Sequence, residues 1–164
     1  MSSSLEASAS ADPAQPEAEE QQRPLVMQII IDRPITKSSD WNRGALIAQG
    51  SHAAVAIIAQ TIDEPATKEY IAPAHLGSMH KVVLQAPKSG TLAELSQRLL
   101  EAQTAEVRDA NEDAQTARAT GLQFPKHHLW IEQPEGIPTA IAIAPNRKPP
   151  ALKKILDKCA LLRD

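Results

Sequence analysis

Gln49 and His52 stand three residues apart in the run Gly44 to Ala56, and no other spacing in this chain is better suited to chemistry. Residues three apart on a helix are surface neighbours. Wound at about 100° per residue, the run places Leu46, Ile47, Ala53, Ala54, Val55, Ile57 and Ile58 on a broad apolar face, which is expected to be buried. A narrow stripe of Ala45, Gln49, His52, Ala56 and Gln60 remains. Its small residues would let a ligand or another chain come close, with an amide and an imidazole side by side. An imidazole titrates near neutrality, so His52 is a natural general base for activating water. The plainer alternative is a histidine on a partly wet helix face.

The elements that must position these groups can be read from pattern. Val26 to Ile31 is a nearly continuous apolar run stopped by Asp32-Arg33-Pro34, which suits a strand buried on both faces. Ser38, Ser39 and Asp40 are available to cap the signature helix, which begins near Asn42. Thr61 to Pro65 ends that helix and starts a short second one through Lys68 to Ile71. His80 to Gln85 is the second strand. Thr91 and Glu94 form a capping-box pattern that opens an amphipathic helix with Leu92, Leu95 and Leu99 on its inner side. The polar, Ala-rich stretch within 103–123 reads as an insertion, either an extended helix end or a mobile excursion. His128 to Glu132 and Thr139 to Ala144 form a hairpin across Gln133 to Pro138, and a last helix is expected over Ala151 to Leu162. The order β-α-α-β-α-β-β-α predicts an α/β single domain: a four-stranded mixed sheet flanked by helices on both faces.

Composition limits the remaining classes. The chain has 164 residues, room for one domain over 25–164 and a tail over 1–24. The tail is rich in Ser, Ala, Glu, Gln and Pro and carries about −4 of a total of −3, so the domain is close to neutral. It has too few apolar side chains to offset its ordering entropy and is expected to be disordered. It is too acidic for a transit peptide and has no secretory apolar core. No apolar run reaches membrane-spanning length, so no membrane association is expected. The single Cys159 rules out an internal disulfide and fits a reducing compartment; a cytoplasmic location is the expectation. Arg147, Lys148, Lys153, Lys154, Lys158 and Arg163 outweigh Asp157 and Asp164 near the carboxyl terminus. That run could meet a phosphate backbone, or be a solvated helix face.

Other constellations are weaker. His75 and His80 lack metal-ligand spacing, and the neighbours His127 and His128 point to opposite faces of a strand, so no metal site is expected. No Gly-rich phosphate loop follows a strand. Ser51 points off the stripe and lacks a nucleophile-elbow context. Trp130 is either a core residue or a platform for a base.

The run Gly44, Ala48, Gln49, His52, Ala53, Ala54 resembles the helix signature of the peptidyl-tRNA hydrolases of archaea and eukaryotes, the Pth2 family. Lys81-Val82-Val83-Leu84-Gln85-Ala86-Pro87 is similar to the strand that follows in that family. Leu129 to Glu135 resembles a segment of its eukaryotic branch of peptidyl-tRNA hydrolase domain-containing proteins. The likeness covers roughly 26–162, outside the insertion. It implies the same mixed-sheet fold and cleavage of the ester between a peptide and the terminal ribose of tRNA, with no cofactor or metal. It further implies His52 and Glu132 as catalytic residues, Glu132 orienting His52 or holding the water. Gln49, Thr139 and Lys81 are the implied substrate-binding residues, and Arg147 and Lys148 of the basic run are expected to bind substrate with them.

Three positions depart from the family pattern: Ala45 replaces a Lys, Glu132 replaces an Asp, and the following loop, Gln133 to Pro138, is shortened. They leave a second reading open, a non-catalytic module that binds tRNA or a protein on the same fold. The partners expected are tRNA or peptidyl-tRNA, and a homodimer is left open.

Overall fold

Val26–Ile31 forms strand β1, and all six residues are buried, as a strand covered on both faces requires. The computed structural model describes residues 23–108 and 123–163. The acidic tail up to residue 22 and residues 109–122 of the insertion lie outside the described residues. After β1 come α1 (Arg33–Lys37), α2 (Arg43–Gln60), α3 (Pro65–Tyr70), a 3-10 turn (Pro73–Ser78), β2 (His80–Gln85) and α4 (Leu92–Arg108). The chain then forms β3 (His127–Glu132), β4 (Ile137–Ile143), α5 (Pro150–Leu156) and β5 (Ala160–Leu161).

The sheet order is β3-β4-β1-β2-β5, with β1 and β2 parallel and every other pair antiparallel. The mixed sheet with helices on both faces is as expected, but it has five strands rather than four. The fifth arises where the last helix stops at Leu156 instead of Leu162, and Ala160–Leu161 pairs with Leu84 and Gln85. A short apolar stretch suits either state. What decides is the open backbone edge of β2, whose donors and acceptors the two residues partly satisfy.

Alternation along the strands divides the core in two. Met27, Ile29 and Ile31 of β1 and Ala140 and Ala142 of β4 face α2 and α3, together with Ala53, Ile57 and Tyr70. Ile30, Ile141 and Ile143 face α4 and α5, meeting Leu92, Leu95, Leu99 and Leu152. The Thr91–Glu94 capping box forms as its pattern predicts, each residue bonding the other's backbone N–H at 2.7 and 3.2 Å. At α2 the cap is Asn42 itself, whose Oδ1 accepts the Ala45 N–H at 2.9 Å, rather than Ser38, Ser39 or Asp40.

The buried face of α2 differs from the expected one. Gln49, Gly50, Ala53 and Ile57 are buried, whereas Ile47 and Val55 are each 70% exposed. An almost uncharged helix has no strong amphipathic direction, so close packing chooses the face. Gly50 is the contact point: a Cβ there would meet Ile29 Cγ2 at 3.3 Å and Ile31 Cδ1 at 3.5 Å. Small side chains on both α2 and β4 let the helix settle on the sheet along that line, which carries Gln49 inward.

Candidate active site

The antiparallel pairing of β4 with both β1 and β3 lines up one row of residues across four strands. Ala140 pairs with Ile31 on one side and Trp130 on the other, and Ile31 pairs with Gln85. This row lies at the carboxyl ends of the parallel strands β1 and β2, the edge where open α/β sheets tend to place ligands.

On β3, Trp130 and Glu132 are two apart and share a face. The Trp130 Nε1–H donates to Glu132 Oε2 at 2.9 Å. The indole also stacks on the imidazole of His52 from α2, with ring centroids 4.6 Å apart and planes 17° from parallel. His52 is exposed, while Trp130 and Glu132 are half-buried. The structure therefore brings His52 and Glu132, far apart in sequence, against a single side chain. Behind Trp130, His128 presents its ring at 6.2 Å and bonds through Nδ1 to Gln60 Nε2 at 2.9 Å. Burial holds the His128 imidazole below its ordinary titration range.

A register irregularity between Trp130 and Ile131 shapes the floor of this site. Trp130 pairs with Ala140 and Ile131 with Pro138, so Thr139 is an extra residue on β4. Pro138, which has no N–H for a ladder, sits beside this bulge, where proline is tolerated inside a sheet. The bulge turns Thr139 to the same side as Ala140. Fully buried, Thr139 donates from Oγ1 to Gln49 Oε1 at 2.6 Å, and its carbonyl accepts the Asp32 N–H at 2.9 Å. Thr139 thus lies behind Gln49, which is itself only 3% exposed. At the neighbouring end of β1, burial raises the Asp32 carboxyl above its usual range, partly offset by a hydrogen bond to the Arg33 backbone. The hairpin closes with Gly136 in the positive-φ region (φ 67°), where its N–H reaches the Glu132 carbonyl at 2.8 Å.

Lys81, Arg147 and Lys148 are not part of this assembly. Lys81 pairs with Met27 near the start of β1, and Asn146 bridges Val26. That is the other end of the sheet, about 17 Å away for a strand of six residues at roughly 3.3 Å each. Lys81 there lies 5.4 Å from the centre of the Tyr70 ring. Arg147 is engaged with both Glu69 carboxylate oxygens at 2.8 and 2.9 Å. Lys148 is exposed with φ 57°, its N–H held by Asn146 Oδ1 at 2.9 Å. The basic residues of α5 lie across the sheet from His52, since α5 packs on the Ile30 and Ile143 face.

Among the described residues, no group of three or more His, Cys, Asp or Glu side chains converges on a metal-sized site. No helix among them is long and apolar enough to cross a membrane. The site residue that sequence reasoning left among core candidates is Trp130. Its signal was present in the two-residue spacing to Glu132.

Residues 25–162 match the family model described as Peptidyl-tRNA hydrolase PTH2. The human protein named "Putative peptidyl-tRNA hydrolase PTRHD1" is 36% identical over 125 residues, covering 76% of this chain and 73% of that protein. The mouse protein of the same name is 35% identical over the same coverage.

Proposed function

Because the chain belongs to the peptidyl-tRNA hydrolase PTH2 family, we propose that it cleaves the ester joining a peptide to the terminal ribose of tRNA, releasing free tRNA. The observation that carries this reading is the meeting of His52 and Glu132 on the Trp130 indole. One is an exposed imidazole able to take a proton, and the other a carboxylate with one oxygen engaged.

In the proposed reaction His52 removes a proton from water as its oxygen adds to the ester carbonyl. The resulting tetrahedral oxyanion collapses, the bond to the ribose oxygen breaks, and that oxygen takes the proton from the imidazolium. Glu132 holds the attacking water through the oxygen not bonded to Trp130. Thr139 occupies Gln49 Oε1 and fixes the buried amide beneath the site, which leaves its Nε2 as the group with donors to spare. A tRNA is large enough to reach the far end of the sheet, where Lys81 and Lys148 would meet phosphates away from the ester. We place this activity in the cytoplasm, on peptidyl-tRNA left by interrupted translation.

The test is acyl release from an N-blocked aminoacyl-tRNA by the wild-type protein and its His52→Ala variant. Release that is lost in a folded His52→Ala protein supports the reading. Binding of tRNA without release by the wild type overturns it in favour of a non-catalytic module.

A further inference from the structure

We propose that Trp130 is a positioning residue for this hydrolysis, fixing the Glu132 carboxylate and the His52 ring plane relative to each other. The assignment rests on the reading of His52 and Glu132 as reacting groups. Among the described residues, the side chain of Glu132 makes one hydrogen bond, to Trp130 Nε1. His52 makes no hydrogen bond among them, and its ring contact is the stack on the same indole. Both reacting groups are thus oriented by one residue.

That residue is itself anchored. Trp130 packs against the core formed by Ala140, Ala142 and Ala53, and its backbone is paired opposite Ala140. An exposed imidazole on a helix would otherwise pass among staggered rotamers. A stacked partner at 4.6 Å narrows that choice. The strand spacing sets the length required of the acid: Glu132 bends back over two residues to reach the indole, and a side chain shorter by one C–C bond, about 1.5 Å, falls short. Displacement of a reacting group by about 1 Å can cost on the order of 100-fold in rate.

A residue that merely filled the core would act on stability alone, and kinetics separate the two roles. Steady-state acyl release from N-blocked aminoacyl-tRNA is measured on the full chain for the wild type, Trp130→Phe, Glu132→Asp and the double variant, with thermal unfolding alongside. Trp130→Phe keeps an aromatic face for His52 and removes the N–H donor. We expect kcat to fall on the order of 10- to 100-fold in each single variant, with KM changed by less than about twofold. The double variant should be no slower than the slower single, because both changes break the same hydrogen bond. Should Trp130→Phe fail to fold, Trp130→Tyr, which keeps an aromatic face and lacks the indole N–H, takes its place in the comparison.

Wild-type kcat in Trp130→Phe, single-variant losses that multiply in the double, or a loss confined to KM overturns the positioning role and leaves His52 and Glu132 as proposed. No acyl release by the wild type overturns the reading of the site and this assignment with it.

Discussion

The two ends of the sheet are built from similar residue types and are finished differently. At the Tyr70 end, several polar groups are paired within the protein: Arg147 with Glu69, the Tyr70 hydroxyl with the His80 carbonyl at 2.9 Å, Asn146 with Gln28 at 2.8 Å. At the Trp130 end, the buried pair Thr139–Gln49 forms a floor, and above it, among the described residues, His52 makes a ring contact but no hydrogen bond and one Glu132 carboxylate oxygen is left unbonded. The first end closes the fold. The second holds groups that are oriented but chemically unspent, which is the arrangement a hydrolytic site needs.

Four experiments would sharpen or break this contrast. The largest effect is expected at His52: its change to Ala should slow acyl release by roughly 100- to 10,000-fold while leaving the unfolding midpoint unchanged. A fall in stability of the same variant would make His52 a structural residue and blur the two ends. Next is Thr139→Val, which leaves the buried Gln49 oxygen without its donor. It should cost about 1–3 kcal/mol in denaturant unfolding and lower kcat as well, whereas Thr139→Ser should restore both.

A smaller effect belongs to the other end. Arg147→Ala breaks the Glu69 pair and should cost about 1 kcal/mol in denaturant unfolding, discounted for the exposure of Glu69. It should leave kcat on a short acyl-tRNA analogue alone, and a fall in kcat would mean that the ends are coupled. The smallest is a pH effect at His127, whose Nε2 meets Ser96 Oγ at 2.8 Å and whose buried Nδ1 has no partner among the described residues. Burial first, and the charge of His128 second, hold its pKa below the ordinary 6.5. The unfolded chain therefore takes up the proton more readily than the folded one. The stability from this group is complete above pH 6.5 and is lost as pH falls from there through the depressed native value. Denaturant midpoints at pH 7.5 and 5.5 should show that decline, and His127→Gln should flatten part of it.

How much of this was legible varies with the interaction involved. The four main strands, the Thr91–Glu94 cap and the α4 core face of Leu92, Leu95 and Leu99 follow from local pattern, because each is set by neighbours in sequence. The inward face of α2 did not, since Ile47 and Val55 are as apolar as the residues that are buried. Trp130 was ambiguous for a similar reason: a lone indole on a strand fits a core as well as a site. The placement of Lys81, Arg147 and Lys148 away from His52 depended on strand register, to which their sequence positions gave no guide.

The chain by itself determined its class and its family resemblance, because helix and strand periods, caps and ordered motifs are local or linear properties. Only the tertiary structure decided which side of α2 meets the sheet, that Thr139 is turned toward Gln49 by a bulge, and that one indole joins His52 to Glu132. Those outcomes depend on how closely two backbones can approach and on which residues stand opposite one another, and packing in three dimensions sets both.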